Sequence, residues 1–223
     1  LFHNILLADE VNRAPAKVQA ALLEAMGERQ ITVGQKTYPL PQLFMVLATQ
    51  NPIEQEGTYH LPEAQLDRFL MQVVVDYPNR DEELKILELD NDRQREKPRP
   101  PANPLPQEEL FAMRTAAASL FMDPKLNRYM VDLIQATRNP SAYDKELARW
   151  VRFGASPRAT LALARCARAR AWLDGESFVS PAHIQNIAVD ILRHRLLLTF
   201  EAEAEGITTD DVIGRLISLV AIP

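Results

Sequence analysis

Two carboxylates stand side by side at Asp9-Glu10, directly after the apolar run Ile5-Leu6-Leu7-Ala8. A run of that length predicts a strand buried on both faces, as in a parallel sheet, so the acids fall at its carboxyl end. Open α/β sheets place their ligand sites outside such ends. A second run, Leu43 to Thr49, ends in Gln50-Asn51-Pro52, where proline forbids further ladder pairing and polar side chains emerge. An aspartate at the first position, Asp9, suits Mg²⁺ held through water, and the adjacent Glu10 can polarise an attacking water. An amide on the neighbouring strand, Asn51, can orient that water or a terminal phosphate. The chemistry suggested is nucleotide hydrolysis.

These groups need a scaffold, and the intervening sequence predicts one. Pro15 fits a first helical turn, Val18, Leu22 and Met26 recur every four residues on one face, and Gly27 supplies a stop. "QITVGQKTYPL" alternates around Gly34 as a β-hairpin does. "EAQLDRF" predicts a short helix, and "FLMQVVVDYP" a third strand ending before Pro78. Strand, helix, hairpin, strand, helix and strand in this order give an α/β fold class, part of a parallel sheet.

Beyond Pro78 the character changes. "RDEELKILELDNDRQRE" predicts a helix, and "KPRPPANPLP" is a stiff, extended linker. Helical patterns follow at 107–120, 124–138, 157–173, 181–195 and 209–220, with no strand expected after Pro106. The expected organisation is α/β followed by all-α: residues 1–78, a connecting helix and linker over 79–106, and a helical domain over 107–223.

Composition narrows the function classes. The 223 residues carry a net charge of −5, which gives no overall attraction to nucleic acid or to anionic membranes. Arg165, Arg168 and Arg170 share one helix, but no aromatic residues are interleaved for base stacking, so pairing with acidic neighbours is expected. One cysteine, Cys166, forbids a disulfide within the chain and suits helix packing in a reducing compartment. No run approaches the roughly 18 apolar residues of a membrane span, and the N-terminus lacks the pattern of a secretory signal, so the chain reads as cytoplasmic. His3, His60, His183 and His194 have no metal-ligand spacing.

With these elements in place, "ILLADEVNRAPAKVQAALLEAMGERQITV", "ATQNPIEQEGTYHLPEAQLDRF" and "GASPRA" resemble the MoxR family of AAA+ ATPases over nearly the whole chain. The resemblance implies that Ile5 to Glu10 is the Walker B motif, with Asp9 toward Mg²⁺ and Glu10 toward water. It further implies that Asn51 is sensor 1, Arg68 the arginine finger, Arg158 sensor 2, Gln30 to Leu43 the pre-sensor-1 hairpin, and the C-terminal helices the AAA+ lid. ATP and Mg²⁺ follow as ligands. A homo-oligomeric ring, a hexamer by family analogy, follows as the assembly, with protein clients such as von Willebrand factor A-domain proteins. On the residues alone, Arg68 reads as a surface partner of Asp67 or Glu63, and Arg158 as an ordinary helix arginine. Ser156-Pro157 nevertheless predicts a helix start that puts Arg158 in the first turn, where anions are favoured.

The departure from the family is the phosphate-cradling loop. None of the seven glycines is followed by lysine, so G-x-x-x-x-G-K-[ST] does not occur. The family's helix-2 insert is likewise missing, whereas "VAIP" looks like a natural C-terminus. The expectation is that roughly the first hundred residues of a parent protein precede Leu1, and that this chain alone does not hydrolyse ATP. A non-catalytic interaction module built on the same fold is the alternative, and a DNA-handling AAA+ protein a weaker one.

Overall fold

The computed structural model describes residues 3–51, 61–95 and 103–223. Residues 52–60, with His60, and residues 96–102, at the start of the proline-rich linker, lie outside the described residues. Two compact units emerge, one of Leu1–Gln72 with Ala116–Pro223 and the other of Val73–Thr115.

In the larger unit, strand β1 (Ile5–Ala8) leads through a 3-10 turn at Val11–Arg13 into helix α1 (Ala16–Glu28). Strands β2 (Gln30–Val33) and β3 (Lys36–Pro39) form the expected hairpin, with Ile31 opposite Tyr38, and β4 (Met45–Ala48) follows. β1 and β4 pair in parallel with Ala8 opposite Ala48, so both strand ends emerge at the same end of the sheet. The pair is covered on one face only. Leu6, Ala8, Val46 and Ala48 pack with Val11, Leu22 and Leu61, whereas Ile5 and Leu7 are 57% and 62% exposed. The expectation of strands buried on both faces is corrected, because among the described residues α1 and Leu61 cover one side alone.

Helix α1 is also rotated from its expected face. Leu22 and Met26 point inward, but Gln19 replaces Val18, and its Nε2 donates to the Val11 carbonyl at 3.1 Å. The buried amide shares this turn carbonyl with the Ala14 amide, which donates to it at 3.2 Å, so Gln19 has a partner away from water. Gly27 lies inside the helix, and Arg29, in the left-handed region at φ 52°, ends it.

After helix α2 (Glu63–Leu66) the expected third strand is absent: residues 67–79 form turns and irregular chain without a ladder. Valine-rich sequence favours extended backbone, but a strand exists only by pairing, and no described segment pairs with this one. The smaller unit contains α3 (Arg80–Arg95) and the start of α4 (Gln107–Ala118). Asn79 Oδ1 accepts from the Asp81 and Glu82 amides, and Glu82 reaches back to the Asn79 amide, a reciprocal cap.

The remaining elements are α5 (Pro124–Arg138), α6 (Lys145–Trp150), β5 (Val151–Phe153), α7 (Pro157–Leu173), α8 (Pro181–Leu192), β6 (Leu197–Leu198), α9 (Phe200–Ala204) and α10 (Thr209–Leu219). Their core is built on Leu133, Ile134, Leu163, Ile184, Ile213 and Leu216, all buried. Side-chain caps at Asp123, Asp144, Ser156 and Thr208 start α5, α6, α7 and α10. The small antiparallel β5–β6 pair corrects the expectation of no strand after Pro106. Gly154, just past β5, lies against the end of α5, where a Cβ would lie 2.4 Å from the Thr137 carbonyl oxygen. Among the described residues no helix is long and apolar enough to cross a membrane.

Candidate functional site

Thr49 ties the two strand ends together. Its amide donates to the Ala8 carbonyl, and its own carbonyl accepts from the Val11 amide, both at 3.0 Å. Its hydroxyl donates to Asp9 Oδ1 at 2.5 Å while accepting from the Glu10 amide at 2.8 Å. One side chain therefore orients the first carboxylate and fixes the backbone that carries the second. Glu10 is held at φ 48°, ψ 51°, a left-handed conformation that costs a non-glycine residue about 1–2 kcal/mol. The strain turns the chain at the strand end and is balanced by the Thr49 bonds.

The Glu10 carboxylate rests 3.2 Å from Arg13, an exposed pair of little energetic weight that leaves the acid accessible. Asn51 lies two residues beyond Thr49, half-buried. The donor set is hard oxygen, from Asp9, Glu10 and Thr49. Among the described residues no three or more His, Cys, Asp or Glu side chains gather as a metal cage. The oxygen donors of Asp9, Glu10 and Thr49 fit Mg²⁺, which keeps several waters and is held by one or two carboxylates together with substrate phosphates. Thr49 was missed in the sequence as a functional residue, although a hydroxyl at the last position before Gln50-Asn51 was its signal.

The two arginines have different partners: Arg68 bonds helix α1, whereas Arg158 faces the Asp67 carboxylate. Arg68 follows α2, is exposed, and donates from Nη1 to the Leu23 carbonyl of α1 at 3.2 Å. Asp67 beside it accepts from the Ser156 hydroxyl at 2.9 and 2.8 Å and from Arg195 Nε at 3.0 Å, and lies 3.5 Å from Arg158. Ser156 also caps α7 by accepting from the Arg158 amide, with Pro157 in the first turn, as the sequence led one to expect. The structure thus brings Arg158 to the residue adjoining Arg68. A cavity of about 510 Å³ lined by Gln50, Asp67, Ser156, Arg193 and Arg195 connects this cluster with the end of β4.

Arg195 anchors the cluster. Its side chain is 2% exposed, and its guanidinium donates to the Asp67 carboxylate and to the carbonyls of Asp67, Phe69, Leu70 and Ile191. Burial pulls its pKa below the usual arginine value, and Asp67 opposes that shift. Arg193 adds a second tie, donating to Asp210, Asp190 and the Gln72 carbonyl. Removing one partner of a buried pair leaves the other charge uncompensated. Arg195→Ala is expected to cost about 3 kcal/mol, a fall of about 6–12 °C in the thermal midpoint of the larger unit. Arg158→Ala, at an exposed position, should change it little; equal losses from both would remove Arg195 from this anchoring role.

His194 between these arginines is held neutral. Its Nε2 faces the Phe69 carbonyl at 3.3 Å, and its buried Nδ1 has no hydrogen-bond partner among the described residues. Burial, with Arg195 and Arg193 beside it and only partly offset by Phe69 and Asp67, pushes its pKa from 6.5 down to about 4. The unfolded chain therefore binds a proton that the folded chain refuses. The contribution is complete above about pH 6.5 and is lost as the pH falls through about 4, about 2 kcal/mol after allowance for partial exposure. Thermal melts from pH 7.5 to 4 should show this decline, and His194→Gln should flatten it; an unchanged slope would assign the pH dependence elsewhere.

Asp67 and Arg195 were not singled out by sequence. Their signals were an acid beside Arg68 and an arginine placed between the apolar positions Leu192 and Leu196. Cys166 packs against the helical core, and burial raises its thiol pKa. Arg170 pairs with Asp174, whereas Arg168 donates to the Leu120 and Ala164 carbonyls rather than to an acid.

Residues 1–71 match the model of the ATPase family associated with various cellular activities, and residues 147–216 match the AAA lid domain. The chain is 45% identical over 221 residues to chaperone MoxR1 of Mycobacterium tuberculosis, covering 99% of this chain and 58% of that protein. It is 34% identical over 204 residues to protein MoxR of Paracoccus denitrificans, covering 87% and 60%. The crystal structure of a candidate ATPase from Cytophaga hutchinsonii superposes with a TM-score of 0.90 at 41% identity, covering all of this chain and 67% of that one. The chain thus spans less than two thirds of the length of these two curated relatives.

Proposed function

Because the chain belongs to the MoxR family of AAA+ ATPases, we propose that it is the C-terminal part of a protein that hydrolyses ATP in a ring and uses the energy to remodel or mature partner proteins. The ring is a hexamer by family analogy, and von Willebrand factor A-domain proteins are the client class that the family suggests. In this reading residues 1–78 complete the α/β core, 79–106 connect, and 107–223 form the lid.

The observation that carries the proposal is the Thr49 bridge, which presents Asp9 and Glu10 at the carboxyl end of a parallel strand pair. Asp9 would help hold Mg²⁺, which would neutralise phosphate charge when bound. Glu10 takes the proton of the attacking water, and Asn51 orients that water or the terminal phosphate. Arg68 reaches the phosphate bound by the adjacent subunit, and its guanidinium balances charge that develops during transfer. Arg158, paired with Asp67, the residue before Arg68, supplies a second positive charge.

The P-loop that delivers ATP does not occur in these residues, so the chain alone should be inactive. The test uses the full-length protein with ATP and Mg²⁺, following phosphate release and particle mass together. Nucleotide-dependent assembly with turnover supports the proposal. Assembly with client binding but no turnover favours the interaction module instead.

A further inference from the structure

We propose that Gly27 is a positioning residue for Arg68, and that its missing side chain forms a seat for the guanidinium on α1. A Cβ at position 27 would lie 3.1 Å from Arg68 Nη1 and 4.0 Å from Cζ. That nitrogen donates to the carbonyl of Leu23, one helical turn earlier on the same face. An interior helix carbonyl has a second lone pair, so it accepts this bond without giving up its place in the ladder.

Gly27 serves no backbone purpose. Among the glycines of positive φ are Gly34, Gly175 and Gly206, and Gly27 is not one of them. It neither ends the helix, which runs to Glu28, nor turns the chain, which Arg29 does. In a helix interior glycine is unfavourable relative to alanine, so its use here is explained by the close approach of another group. Among the described residues the group present is Arg68. Leu23 is buried and α1 begins just beyond Glu10, so the seat is fixed to the helix that leaves the carboxylate site.

The inference rests on the arginine-finger reading of Arg68, and the experiment separates the two. In the full-length protein, Gly27→Ala should leave the thermal midpoint unchanged or raise it by about 1–4 °C, while turnover falls by about 5–100-fold and ATP binding stays intact. A merely structural role predicts loss of activity together with loss of stability. In an Arg68→Ala background the same change should alter turnover by less than about twofold, since the group it displaces is gone. Turnover of Gly27→Ala within twofold of the parent, or an equal fall in both backgrounds, would overturn the seat. Should Arg68→Ala itself keep full turnover, the finger reading fails, and the seat is then judged on stability alone. Gly27→Ala must in that case raise the midpoint more without Arg68 than with it, and equal rises would overturn it.

Discussion

Glu10→Gln in the full-length protein is expected to lower ATP turnover by about 10²-fold or more and to leave nucleotide binding in place. The glutamine keeps the size of the side chain but cannot take the proton of the attacking water. The framework around it survives, because Thr49 bonds the Glu10 amide and the Asp9 carboxylate rather than the Glu10 side chain. The substitution does remove the exposed ion pair with Arg13, which contributes little to stability. A thermal midpoint close to that of the parent, with turnover collapsed and ATP retained on the ring, is the full expected result. Turnover within twofold of the parent would assign the base elsewhere. Thr49→Val is a useful companion, since it should disturb Asp9 and the Glu10 backbone together and reduce both stability and turnover.

Arg68→Ala is expected to lower turnover by about 10³-fold or more while each subunit still binds its own ATP, because in the proposed finger role the guanidinium acts on charge that develops in the transition state. Its backbone should not move. Asp67 is held by Arg195, Ser156 and Arg158, and the chain from Asp67 to Leu70 is gripped by Arg195 through its carbonyls. The decisive measurement mixes Arg68→Ala with Glu10→Gln, two variants each inactive alone. Some interfaces in mixed rings then join an intact Glu10 from one protein to an intact Arg68 from the other, and those sites should turn over. Recovery of activity on mixing is a result that a role within one subunit cannot produce. Confirmed co-assembly without recovery would remove the finger assignment.

What the sequence determined by itself is local. Ile5–Ala8 and Met45–Ala48 were legible as strands, and the hairpin around Gly34 as a hairpin, because apolar runs, alternation and turn residues act over a few neighbours. The Ser156-Pro157 start of α7 was legible for the same reason, a side chain capping an amide two residues away. The places of Asp9-Glu10 and of Asn51 just beyond two strands that pair in parallel were legible in the same way.

Only the tertiary structure decided the rest. Val73 to Val75 have the residue types of a strand, yet they form none, since pairing is supplied by another segment and not by propensity. Strands β5 and β6 are too short for any period to show and exist because Val151 meets Leu198. Gly27 looks like a helix stop in one dimension and becomes a seat for Arg68 in three. Asp67 and Arg195 stand 128 residues apart, and neither position announces its partner. A buried ion pair depends on which charges the fold carries out of water together, and that is settled by packing after the local elements have formed.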